Sequence, residues 1–211
     1  MKEILNSPSI IIKVLVFITF LHAFFNLKTK KTINKLLMYV LTLSLFTEVL
    51  NTFLKYKMLP YGTFTTFSLF VNAILWLGIL YQVFRIKRSI RIALILLFVF
   101  AVVNILFIEG YTKFNYYTFV LGSFLYTILF ISESFYQLKK EHFYFFQSNN
   151  YILLFSPILF FLGLSLMFSF KSFSLTSTVI IGEVKLYTFI NIFVNVIYYL
   201  SLNYYILKEN K

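Results

Sequence analysis

The sequence predicts an all-α integral membrane bundle of seven transmembrane helices, and three observations carry that prediction. The 211 residues are 60% hydrophobic and 22% aromatic, with 12% charged side chains, about half the ~25% of a soluble domain. The mean hydropathy is +0.86. Seven apolar runs are long enough for helices crossing a ~30 Å hydrocarbon core, which takes about 20 residues. They are too long, and alternate too little, to be strands of a barrel. A soluble enzyme is excluded, since too few charges remain to cover a water-facing surface.

The first run, 8–26, follows Lys2 and resembles a signal peptide at first sight. Lys13 interrupts it, however, and the bulky Leu21-His22-Ala23-Phe24-Phe25 stands where a signal peptidase needs small residues. The expectation is a retained span. The remaining spans fall at 36–54, 64–84, 90–108, 115–138, 151–170 and 186–206, separated by short basic or turn-rich markers at 26–31, 57–62, 85–91, 109–113 and 139–142. The longest connection, 171–185, is rich in Ser and Thr. None could hold a second domain, so residues 1–211 form one transmembrane domain.

Lys and Arg in the connections set the orientation. Twelve fall on one side, at 28, 30, 31, 35, 85, 87, 88, 91, 139, 140, 208 and 211, against six on the other, at 2, 55, 57, 113, 171 and 185. The N-terminus is expected outside and the C-terminus in the cytoplasm, as in a multi-pass protein of the cytoplasmic (inner) membrane. The formal net charge of +12 then reflects basic loops beside anionic lipid, not nucleic-acid binding.

Absences narrow the chemistry further. The chain has no Cys and no Asp, and all seven acids are Glu. Thiolate catalysis and Cys-ligated metals are excluded, and two His cannot make a three-His site. No cofactor or metal is expected.

Polar side chains within spans are expensive and therefore informative. Span 2 carries Ser44, Thr47, Glu48, Asn51, Thr52 and Lys55 at steps of three and four, one helical stripe. Glu48 is the one carboxylate well inside the hydrocarbon, ~10 Å of helix from Lys55 at 1.5 Å per residue. Span 3 offers Ser68, Asn72 and Trp76; span 7 offers Asn191, Asn195 and Tyr198; span 4 offers Asn104; span 1 offers Lys13 at about the depth of Glu48. Two readings stay open. These groups are interhelical glue with Lys13 neutralising Glu48, or they line an outward-facing pocket formed by Lys13, Ser44, Thr47, Glu48, Asn51, Ser68, Asn72, Asn104, Asn191 and Asn195. His22, His142 and Glu133 are weaker candidates near span ends, and Pro157 is expected in the first turns of span 6.

Several seven-span classes fail on residues. Retinal proteins need a Lys in the last span, and none stands between Tyr187 and Leu207. Zinc-dependent intramembrane hydrolases need more His, and lysoplasmalogenase-type enzymes need paired Asp. SWEET-type sugar transporters hinge their repeats on prolines, whereas here only Pro157 of three prolines lies within a span.

One likeness rests on Leu45-Phe46-Thr47-Glu48-Val49-Leu50, Phe107-Ile108-Glu109-Gly110 with Phe114-Asn115, Ser132-Glu133-Ser134-Phe135-Tyr136-Gln137-Leu138 and the Asn-rich last span. In these the chain resembles small seven-span membrane proteins of unassigned function common in Bacteroidota. The resemblance implies a sensory or signalling membrane module. The expected function is a non-enzymatic sensory, signalling or partner-binding module with a polar pocket around Glu48. Its expected partners are the bilayer, a small ligand, and a membrane or cytoplasmic signalling protein at the basic loops. A small-solute or ion transporter using Glu48 is the alternative, and an intramembrane enzyme the third reading.

Overall fold

The computed structural model describes residues 9–110, 114–169, 178–181 and 184–210. Lys2, Lys113, Lys171, Lys211, Glu183 and the Ser/Thr-rich stretch 171–177 lie outside these. The helices are α1 (Ser9–Asn26), α2 (Thr32–Tyr56), α3 (Gly62–Val83), α4 (Lys87–Val103), α5 (Tyr116–Lys139), a short α6 (Phe143–Gln147), α7 (Asn149–Ser169) and α8 (Leu186–Glu209). A π turn, Asn104–Ile108, extends α4. A two-stranded antiparallel hairpin, β1 (Val179–Ile181) with β2 (Val184–Lys185), precedes α8. The sequence reading held a plain loop there, and it missed α6.

Six of these helices are long and apolar enough to cross a membrane, and α1 is a shorter apolar helix beside them. Their outward faces carry large apolar side chains where a soluble protein would place charge. Along α4 and its π turn, Ile92, Ile95, Leu96, Phe98, Val99, Val102, Leu106 and Phe107 all point outward, Phe107 80% exposed. Such a continuous apolar surface is what a helix facing hydrocarbon carries.

Inward faces follow helical periodicity. On α1 the buried stripe is Ile12, Val16, Thr19 and Ala23, stepping by three or four. Close approach between helices depends on small residues. A Cβ on Gly163 of α7 would stand 2.5 Å from Cγ1 of Val194 on α8, and one on Gly122 of α5 would touch Ala73 of α3 at 3.4 Å. Pro157 sits in the body of α7 and not in its first turns as the sequence suggested. Its missing N–H would leave the Leu153 carbonyl without a donor, and the Ser156 hydroxyl donates to that carbonyl at 2.8 Å.

Two helix ends close with a Schellman motif on a residue other than glycine. At the end of α2, Met58 has φ +55°, with Met58 N–H donating to Lys55 O and Leu59 N–H to Leu54 O. At the end of α5, Glu141 has φ +56°, with matching bonds from Glu141 to Leu138 O and His142 to Gln137 O.

Helices α1, α2, α3, α7 and α8 pack successively into a closed ring, each touching the next and α8 returning to α1. Helix α3 also touches α4 and α5, and α5 touches α7, which places α4 and α5 on the far side of α3 from α2. The connections 26–32, 83–87 and 139–149 and the end of α8 gather Lys28, Lys30, Lys31, Arg85, Lys87, Arg88, Lys140 and Lys208 at one end of the bundle, here the basic end. At that end Lys31 pairs with Glu209 at 2.5 Å. Asn149 donates to Glu209 at 3.1 Å, and Tyr205 to Asn34 at 2.7 Å.

Candidate functional site

Within the five-helix ring lies a cavity of about 220 Å³, room for roughly seven waters at ~30 Å³ each. Helix α2 contributes Ser44, Thr47, Glu48 and Asn51, one stripe at i, i+3, i+4, i+7. Helix α3 contributes Thr65, Ser68, Leu69 and Asn72; α8 contributes Tyr187, Asn191, Asn195 and Tyr199. Ile12 of α1 and Phe160 and Leu164 of α7 complete the wall.

Eight of the ten residues expected at a pocket therefore share one chamber: Ser44, Thr47, Glu48, Asn51, Ser68, Asn72, Asn191 and Asn195. The other two stand apart. Lys13 is not in the wall; its neighbour Ile12 is, about 100° around the helix. Lys13 and Lys55 are the cations whose field reaches Glu48, yet Lys31–Glu209 is the salt bridge found among the described residues.

Asn104 belongs to a different network, because α4 lies across α3 from the cavity. Its amide donates to Glu109 Oε2 at 2.6 Å and to Thr118 Oγ1 at 2.8 Å. Glu109 in turn accepts the Tyr116 N–H at 3.0 Å on Oε1 and the Tyr117 N–H at 3.1 Å on Oε2. A carboxylate accepting the first free N–H groups of α5 is a helix cap, favoured by the dipole. Its role is structural.

Three polar lining residues, Thr65, Tyr187 and Tyr199, were missed, although the pattern contained them. Tyr187, Asn191, Asn195 and Tyr199 form one i, i+4 row, whereas Tyr198, singled out from sequence, turns to α3 and α7. It meets Trp76 edge-on at 6.1 Å between ring centres and stacks on Phe160 at 5.0 Å. Thr65 extends the Ser68–Asn72 row by one turn, and Trp76 belongs instead to an aromatic layer with Tyr126 and Tyr198.

The chamber is polar at its sides and dry beyond Ser44 and Asn72. Toward the basic end the next buried side chains on α2, α3 and α8 are Leu37, Val40, Leu41, Trp76, Leu77, Leu80 and Leu202, and the buried polar ones, Thr19 and Asn34, are bonded to Asn203 and Tyr205. Several wall groups satisfy themselves locally. Thr47 donates to Leu43 O at 2.7 Å, Thr65 to Asn51 Oδ1 at 3.1 Å, and Asn195 to Asn191 Oδ1 at 3.0 Å. Tyr199 interacts with Ser44 and lies within electrostatic reach of Glu48. Two do not: Ser68 Oγ, on a residue 3% exposed, and Asn72 Oδ1 find no hydrogen-bond partner among the described residues. Burying a polar group unpaired costs about 1–3 kcal/mol; atoms of Asn104, Glu133, Ser134, Asn149 and Ser165 are in the same state elsewhere, and Ser68 and Asn72 are the two that line the chamber.

The remaining candidates are bound elsewhere. His22 pairs with Asn203 at 2.7 Å, which also donates to Thr19 and ties α8 to α1. His142 meets Gln137 at 3.2 Å, and Gln137 donates to the buried Glu133 at 2.7 Å. No group of three or more His, Cys, Asp or Glu fit to hold a metal occurs among the described residues. No protein-family model, curated protein or solved structure matches the chain.

Proposed function

We propose that the chain is a seven-span protein of a cytoplasmic membrane that binds a small polar ligand in the Glu48 chamber, as a sensory or signalling module and not as an enzyme. In this reading α1 is the first span, the basic end faces the cytoplasm, and the chamber opens outward. The observation that carries it is the chamber itself. It combines one carboxylate with an unpartnered hydroxyl and amide oxygen, and it ends on a dry aliphatic and aromatic layer. A binding site needs a closed end, and a transport route needs polar lining through both halves. Chemistry would need a second acid–base group matched to Glu48, and among the described residues the lining offers only the phenols of Tyr187 and Tyr199, while both His are engaged elsewhere.

The test uses purified protein reconstituted in liposomes and a panel of alkylammonium, carboxylate and neutral polyol probes. The expected result is saturable binding of one charge class, weakened by Glu48→Gln, with no flux and no turnover. Proton or solute uptake abolished by Glu48→Gln would replace this reading with a transporter. Cysteines introduced at Lys30, Arg88 and Lys140 should resist an impermeant thiol reagent added outside intact cells, while one at Lys57 reacts; the reverse pattern overturns the orientation.

A further inference from the structure

Beside the Glu48 chamber lies a second space of about 420 Å³, lined by Pro60, Tyr61, Gly62, Thr65, Leu69, Phe114, Tyr116, Phe168 and Tyr187. The two share Thr65, Leu69 and Tyr187 as a common wall, so they adjoin. Phe114, Tyr116 and Phe168 form a three-ring cluster with centres 4.6 to 5.3 Å apart. Lys55 already holds its ammonium 5.0 Å over the Tyr61 ring, a cation on an aromatic face at the rim.

The two chambers differ in kind. The inner one is rich in acceptors: the Glu48 carboxylate and the unpartnered Asn72 Oδ1, with the Ser68 hydroxyl beside them. Among the described residues no Lys or Arg lines it, and the Asn195 amide is already spent on Asn191. An anion would meet the Glu48 carboxylate with Lys13 and Lys55 acting only from outside the wall, and a neutral polyol would leave the carboxylate unused. A cationic N–H donor answers both the carboxylate and the orphaned acceptor. The outer chamber is aromatic and suits an apolar body, and its volume alone falls within the ~300–1,000 Å³ of small-molecule sites.

We infer that the ligand is an organic cation with a short apolar body, its primary ammonium on Glu48, Asn72 and Ser68 and its apolar part among Tyr61, Phe114, Tyr116 and Phe168. This rests on the binding reading above. The ammonium belongs either to a free amine or to the headgroup of an aminophospholipid.

The test measures n-alkylammonium ions from ethyl to octyl, with the matching n-alkanols and n-alkanoates and a polyol, on full-length protein in phosphatidylcholine nanodiscs. Binding is read by protection of an Asn191→Cys variant from a small thiol reagent. Ammonium ions should protect and alcohols should not. Affinity should rise about fourfold per methylene while the aromatic chamber fills. Glu48→Gln should weaken protection roughly 10- to 100-fold. Phe168→Ala should flatten the chain-length series, weakening octylammonium far more than ethylammonium, which keeps the assignment testable if the Glu48 variant folds poorly; an equal loss for both overturns the placement of the apolar part. Phosphatidylethanolamine in the nanodisc that itself protects and displaces the free amines assigns the ammonium to lipid; no effect assigns it to a free amine. Alcohols equal to ammonium ions, or protection by carboxylates or polyols alone, overturn the cation while a binding cavity stands. Protection by no probe of any charge overturns the binding reading with it.

Discussion

Glu109 is the residue whose removal has the most calculable consequence. Helix α5 begins at Tyr116 with no acid in its first turn and no side-chain cap from Asn115, so its leading N–H groups depend on a carboxylate seven residues upstream. Glu109→Ala removes acceptors from the Tyr116 and Tyr117 N–H groups and from Asn104 Nδ2. Loss of a cap costs ~1 kcal/mol, the charge at the helix N-terminus contributes ~0.3–1 kcal/mol, and a hydrogen bond to a charged group ~1.5–3 kcal/mol. These overlap, since one carboxylate does all three, and Asn104 retains Thr118. A net loss of about 3 kcal/mol is expected. Glu109→Gln keeps one acceptor but turns an NH2 toward other donors, so about half that loss should remain. Equilibrium unfolding in mixed micelles, followed through the single buried Trp76, measures both. A Glu109→Ala loss below ~0.5 kcal/mol, the scale of an ordinary surface change, would refute the cap.

Three other substitutions test the packing by the same unfolding measurement. Gly163→Ala should destabilise by ~1–3 kcal/mol through the clash with Val194, and Val194→Ala should recover much of it. Ser156→Ala should cost ~1–2 kcal/mol by orphaning Leu153 O, and much less in a Pro157→Ala background where the backbone N–H returns. Glu141→Gly should stabilise by ~1 kcal/mol, since φ +56° strains any residue with a Cβ; a loss would mean that the Glu141 side chain makes a compensating contact.

Much of this architecture was legible because hydrophobic length and helical period are local properties. Six of the seven expected spans match, to within a few residues, helices long and apolar enough to cross a membrane, the first matches the shorter α1, and the 44–47–48–51 stripe of α2 was visible as a polar row. What was not legible is which helices are neighbours. Asn104 sits at a depth that suited the pocket, but α4 packs on the far side of α3, and the carboxylate that claims Asn104 comes from the connection after its own helix. Tyr198 and Tyr199 differ by about 100° of helix rotation, and only the placement of Trp76 decides which of them faces the cavity. The Pro157–Ser156 pairing and the two left-handed caps depend on backbone geometry that residue type does not dictate. The ring of α1, α2, α3, α7 and α8 depends on long-range contacts, and so does the adjacency of the polar and aromatic chambers.

The central claim is that the Glu48 chamber is a water-accessible site closed toward the basic end, not a dry seam of interhelical glue. The chain has no native Cys, so single cysteines placed along the helices report access directly. Ser68→Cys, Asn72→Cys and Asn191→Cys line the chamber, and Leu41→Cys, Leu77→Cys and Leu202→Cys lie in the dry layer beyond it. With a small hydrophilic thiol reagent applied to reconstituted protein, the first three should react and the second three should not. Silence at Ser68→Cys, Asn72→Cys and Asn191→Cys would contradict the site, and reaction at Leu41→Cys and Leu202→Cys would contradict its closed end and indicate a through-going path.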